Sequence, residues 1–144
     1  MNIFKAILCV AMCGIGLMNS HAAPPPPTGL AGPLQGAWAS TPGQERMLFT
    51  ADANGGRIEM DCASGTLAGP LFADGAGKFQ TTGTFEQHQA GPQRADKAPA
   101  AVKTRFTGEL HNGVLTLTLL ADGASTPQVF QLREGARVKL LRCL

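Results

Sequence analysis

From Trp38 onward, apolar and polar residues take turns in short runs. Phe79, Thr81, Gly83 and Phe85 fall on one side of an extended segment, and Gln80, Thr82, Thr84 and Glu86 on the other. Phe106, Gly108 and Leu110 oppose Arg105, Thr107 and Glu109 in the same way. Leu115, Leu117 and Leu119 oppose Thr116 and Thr118, and Phe130 and Leu132 oppose Gln131 and Arg133. A period of two belongs to a β-strand with one buried and one wet face. No convincing helical period competes with it.

The breaks between runs carry turn chemistry: DANGG (Asp52 to Gly56), ASG (Ala63 to Gly65), DGAG (Asp74 to Gly77), HNG (His111 to Gly113), DG (Asp122 to Gly123) and REG (Arg133 to Gly135). Asn or Asp before Gly supplies the positive φ angles that tight hairpins demand. The spacing predicts strands over 36–41, 45–52, 56–63, 66–73, 77–87, 101–111, 114–121, 127–133 and 137–143. The expected fold class is all-β: a small antiparallel up-and-down barrel of about eight strands, with a two-sheet sandwich as the alternative. Closure into a barrel removes the exposed edges of an open sheet. Gly83 and Gly108, inside strands and on the apolar face, would let the sheet coil sharply.

Upstream the pattern changes. MNIFKAILCVAMCGIGLMNSHAA has one early cation, Lys5, then an apolar run from Ala6 to Met18, then small residues. This is the layout of a secretory signal peptide, with Ser20 and Ala22 placed for cleavage after Ala22. The run is shorter than the ~20 residues of an ordinary membrane span. Cys9 follows Leu8 and Cys13 follows Met12, so neither has the small residue that precedes a lipid-modified cysteine. The expected organisation is therefore a signal peptide over 1–22, a proline-rich leader over 23–35 and a barrel over 36–144. Four consecutive prolines make that leader a stiff extended spacer. The expected location is the periplasm or the outside of the cell.

Removing 22 of the 144 residues leaves 122, enough for one modest domain. Lys5 is the only charged residue removed, so the formal net charge falls from +2 to +1. So small a charge offers no footprint for nucleic acid or for an anionic membrane surface. The remaining basic cluster, Arg133, Arg137, Lys139 and Arg142, reads as a solvated strand face. The expected protein is a monomer without stable membrane insertion.

With Cys9 and Cys13 gone, Cys62 and Cys143 remain, and an even count in an exported chain reads as one disulfide. Neither cysteine has a second close ligand for zinc, and an oxidising compartment would cap a catalytic thiol. The bond would close a loop of about 80 residues, contributing roughly 3–4 kcal/mol.

Candidate chemistry is sparse. The longest irregular segment, EQHQAGPQRADKAPA (Glu86 to Ala100), holds Glu86, His88, Arg94, Asp96 and Lys97. A connection of that length is functional or merely loose. Glu86 and His88 point to one side of an extended chain, so they could orient one another or share a metal, but two ligands do not make a site. Whether His111 lies near His88 depends on the register. Ser40, Ser64 and Ser125 stand in turn-like contexts, none in a Gly-x-Ser-x-Gly elbow. Glu59 and Asp61 share a strand face opposite Ile58, Met60 and Cys62, which places both toward water. No glycine-rich phosphate loop precedes a helix. No catalytic residue, metal site or cofactor is expected.

Gly36-Ala37-Trp38, a Gly-x-Trp soon after an irregular leader, resembles the lipocalin and avidin-like (calycin-type) barrels. The resemblance implies that Trp38 plugs one barrel end, with Arg137 or Arg142 across its ring. A wider likeness runs through MDCASGTLAGPL, GKFQTTGTFEQHQAGP, TRFTGELHNGVLTLTLL and LLRCL. These segments resemble a group of small exported bacterial β-proteins of uncharacterised activity, a likeness that implies a fold alone. Short periplasmic barrels that inhibit metalloproteases or lysozymes are similar in size, signal and single disulfide. In the metalloprotease inhibitors, however, the cysteines lie close together in the early strands.

Two functions follow as expectations. One is a non-catalytic exported binding protein that holds a small apolar or amphipathic ligand at a barrel mouth edged by Trp38 and the 87–100 loop, with Glu86, His88 and Arg94 as binding residues. The other is an inhibitor or immunity-type protein that binds a secreted or cell-wall hydrolase through that loop. A filled interior with an ordered, protruding loop favours the second, and a lined cavity with a disordered lid the first.

Overall fold

A computed structural model describes residues 32–92, 96 and 100–143; the stretch expected to be a signal peptide, most of the expected leader, Arg94 and Lys97 lie outside the described residues. Eight strands form: β1 (Gly36–Ser40), β2 (Met47–Asp52), β3 (Gly55–Met60), β4 (Ala63–Leu67), β5 (Lys78–Gln87), β6 (Val102–His111), β7 (Val114–Ala121) and β8 (Gln128–Glu134). Each pairs antiparallel with the next, and β8 returns to β1, closing an up-and-down barrel. The barrel, not the sandwich, is the fold.

Local chemistry sets the turns. Asn112 (φ 50°) and Gly113 (φ 75°) form the two-residue link of the β6–β7 hairpin, where His111 pairs with Val114. Two successive positive φ angles match the right-handed twist of the flanking strands. At the β2–β3 hairpin the Asp52 carboxylate accepts from the backbone N–H groups of Asn54 (2.7 Å) and Gly55 (3.1 Å). Asp74 accepts from Ala76 and Lys78, each at 2.9 Å, to launch β5.

The alternation read along β5 to β8 matches the burial. Phe79, Phe106, Leu115, Leu117, Leu119, Phe130 and Leu132 face inward and join Trp38, Met47, Phe49 and Ile58 in one apolar cluster. Seven members of that cluster, Met47, Phe49, Ile58, Phe106, Leu115, Leu117 and Leu132, have no solvent exposure at all. Each such side chain contributes roughly 1.5–3 kcal/mol by leaving water. Gly108 is where the Phe79 ring lies, since a Cβ there would overlap it. A Cβ at Gly83 would strike the Thr66 carbonyl, so β4 and β5 approach closely at that point.

Three local expectations are corrected. The segment Ala63-Ser64-Gly65 is not a turn but the start of β4, and the bend falls at Asp61 and Cys62. Small residues stand there for packing: a Cβ on Gly65 would press on the Phe85 ring at 3.1 Å. Consequently Cys62 lies outside a strand, and residues 68–77 form a connection in which Leu71 and Ala73 are buried. The expected ninth strand over 137–143 does not form. Ala136, Val138 and Leu140 are half-buried between exposed Arg137, Lys139 and Leu141, so the alternation is present without a ladder. Leu34, assigned to the leader, belongs to the core, and its N–H donates to the Leu71 carbonyl at 2.6 Å.

The topology gives the barrel two distinct ends. The leader end carries residues 32–35, the β2–β3 and β6–β7 hairpins and the β4–β5 connection. The disulfide end carries the β1–β2, β3–β4, β5–β6 and β7–β8 connections. From β8, residues 136–143 run back as an external strap to the disulfide end.

Candidate functional site

The expected site residues divide between these ends. Trp38, in β1, pairs with Phe49 and Glu134 and lies under Gly36, where a Cβ would come within 2.9 Å of the indole. Its side chain is 1% exposed and packs on Phe49, with ring centroids 5.6 Å apart. The aromatic neighbour of the Trp38 ring is Phe49, and Arg137 and Arg142 sit on the strap beyond β8. The indole Nε1 is buried without a hydrogen-bond partner. A hollow of about 400 Å³ at this end is lined by Leu34, Trp38, Leu110 and Glu134, with residues 32, 33 and 35.

Glu86 and His88 belong to the opposite end. Glu86 stands directly across the ladder from Ser64. His88 follows the last residue of β5, and its backbone N–H donates to the Cys62 carbonyl at 2.8 Å. Its ring reaches back to Ser64, with Nε2 and Oγ sharing a hydrogen bond of 3.1 Å. The shared face of Glu86 and His88 is thus met by a third residue that the sequence reading assigned to a turn. A hydroxyl and an imidazole are two of the three groups of a hydrolytic triad, but Ser64 lies within the regular strand β4 rather than in an elbow. Among the described residues no carboxylate bonds to the His88 ring to orient it. His111 lies at the leader end, because β5 and β6 run antiparallel over nearly their full lengths; their register puts it about twelve residues along the strand direction from His88, roughly 40 Å of extended chain at ~3.3 Å per residue. Ser40 has a structural task, its Oγ accepting from the Met47 N–H at 3.0 Å, and Ser125 is exposed on the β7–β8 connection.

Cys62 and Cys143 form the expected disulfide, with Cα atoms 4.9 Å apart. The Cys143 sulfur lies 3.5 Å from the His88 carbonyl oxygen. Beside them is a residue whose role was misread. Asp61 does not simply face water: one carboxylate oxygen accepts from the strap at the Leu141 N–H (2.7 Å), and the other from Arg46 Nη1 (2.9 Å). The Leu141 amide, with help from the Arg46 guanidinium, holds the Asp61 carboxyl below the usual carboxylate range, against an opposing effect of desolvation second only to that of the Leu141 amide. The signal that could have revealed this is Asp61 standing next to Cys62: whatever the disulfide brings in must pass it.

Between the strap and the β1–β2 connection lies a hollow of about 690 Å³, lined on one side by Arg137, Val138, Lys139 and Leu141 and on the other by residues 40–46. Among the described residues no three His, Cys, Asp or Glu side chains gather as a metal set. Nor, among them, is any helix long and apolar enough to cross a membrane. Comparison of the chain with protein-family models, with curated proteins and with solved structures gives no match.

Proposed function

We propose that the protein is an exported, non-catalytic binding module that engages a protein partner, as an inhibitor or immunity protein does, through its disulfide end. The observation that carries this reading is the filled interior, where one apolar cluster takes up the inward positions. Recognition is then left to the outer surface rather than to a lumen. At the disulfide end Glu86, His88 and the strap-side hollow supply such a surface. A cysteine pair at bonding distance is compatible with an oxidising compartment, which supports export. Likeness to the small exported barrels adds the inhibitor role as part of this proposal.

The test is native mass spectrometry of the protein recovered gently from its host's cell envelope. The expected result is a complex with a second polypeptide, lost when residues 88–100 are replaced by a short Gly-Ser link. A bound small molecule, released on denaturation, would overturn the partner reading. It would instead favour a small apolar or amphipathic ligand at the leader end. One observation supports that second reading: the partnerless Trp38 N–H, in a ring that lines the adjoining hollow.

A further inference from the structure

The barrel closes without its strap. β8 meets β1 directly through Glu134 with Trp38, Arg133 with Ala39 and Leu132 with Ser40, and the Gly135 N–H adds one bond to the Ala37 carbonyl. Beyond that point, residues 136–143 join no ladder. Among the described residues their fastenings are the Leu141 N–H on Asp61, the half-buried Val138 and Leu140 with the small Ala136, and the bond from Cys143 to Cys62. One backbone hydrogen bond and two half-buried aliphatic side chains do not offset the conformational entropy of ordering the whole strap. The covalent bond keeps it in place.

That bond is at the surface. Cys62 is exposed and Cys143 half-buried, whereas the barrel core beside them is sealed. Exposed disulfides are the ones that thiolates reach, and they tend to be the labile and regulatory class. The bond also determines a surface feature, since four strap residues make one wall of the 690 Å³ hollow.

We propose that the strap is a redox latch: reduction of Cys62–Cys143 releases residues 136–143 from the barrel wall without opening the barrel, and dismantles the hollow they wall. The co-reactant is a dithiol. Its thiolate attacks one sulfur, giving a mixed disulfide and expelling the other as a thiolate. The second thiol of the reagent, as its thiolate, then attacks the reagent sulfur of that mixed disulfide and expels the protein cysteine as a thiolate, so the reagent leaves as an internal disulfide. Two electrons and two protons remain as the thiols of Cys62 and Cys143. This inference holds whatever partner or ligand the protein takes.

The experiment is trypsin digestion of the oxidised and dithiol-reduced protein under native conditions, with products assigned by mass and Trp38 fluorescence followed in parallel. Cleavage after Arg137 and Lys139 is expected to accelerate roughly tenfold or more on reduction, because proteolysis requires local release of the segment. Trp38 emission is expected to stay unchanged. Cys143→Ser, studied without reductant, is expected to be cut as fast as the reduced protein. Equal cleavage rates in the oxidised and reduced forms would overturn the latch, showing a strap that stays docked unaided. A red-shifted Trp38 emission on reduction would overturn it in the other direction, since the bond would then be holding the barrel itself.

Discussion

At the leader end, Leu34, Trp38 and Leu71 fill the opening, all of them within the apolar cluster. At the disulfide end the chain is fastened by an exposed cysteine pair, by Arg46 and Leu141 on the Asp61 carboxylate, and by Ser64 on His88. The first set is apolar and withdrawn from water; the second is polar, titratable or reducible and open to it. Burial is insensitive to acid and reductant, while ion pairs and surface disulfides respond to both. One small barrel thereby combines a permanent closure with a conditional one, and loss of the second need not disturb the first.

The sharpest way to break this contrast is Trp38→Ala, which empties the leader end. The expected loss is about 3–5 kcal/mol in urea unfolding, as for large aromatic truncations. A loss under about 1 kcal/mol would mean that this end is not what holds the barrel shut. Next comes Cys143→Ser at the other end. It is expected to lower stability by about 2–4 kcal/mol through the unfolded chain, while the folded barrel retains its Trp38 emission.

Acid should act only on the strap. Because the folded-state pKa of Asp61 is depressed, its contribution is present above the unfolded carboxylate value and fades as pH falls through the folded one. Protection of the Leu141 amide against hydrogen exchange is therefore expected to weaken below the ordinary carboxylate range. Asp61→Asn should flatten that dependence, whereas amides of β6 and β7 should keep their protection throughout. The smallest effect is expected at Arg57→Ala, which removes the exposed Arg57–Glu59 pair (3.0 Å) from neither closure. A change within about 0.5 kcal/mol in the same urea experiment would place it among ordinary surface pairs.

How much of this was legible in the sequence depended on whether the signal was local. The alternation through Phe106, Leu115, Leu117 and Phe130 is a property of neighbouring residues, and β5 to β8 follow from it almost unaltered. The same holds for Asn112-Gly113, whose backbone preference and hairpin role coincide. The first half of the barrel was harder, because small residues serve two purposes. Gly65 looks like a turn residue but answers to the Phe85 ring across the ladder, a contact that no local window contains. Residues 136–140 carry a strand's pattern because one side of the strap rests on the barrel wall, yet no partner strand is available to it. The site was the least legible part. Trp38 and His88 can be assigned to opposite ends only once strand directions are counted round the closed sheet. The bond between Ser64 and His88 likewise depends on the β4–β5 register.

The order of strands round the barrel bears on how fast it can form. Seven of its eight seams join strands that follow one another in the chain, so each can zip as a hairpin. The eighth joins Trp38 to Glu134, positions 96 apart, through a short ladder. With Cys62–Cys143 reduced, loop-closure entropy falls on that one event, whereas the bond shortens the path between these positions; pairings of high sequence separation are slow to form. In the reduced chain the closing of the ring, rather than the growth of any hairpin, is therefore expected to set the refolding rate, and substitutions at Ala39 or Arg133 should slow refolding in proportion to how far that seam has formed at the barrier.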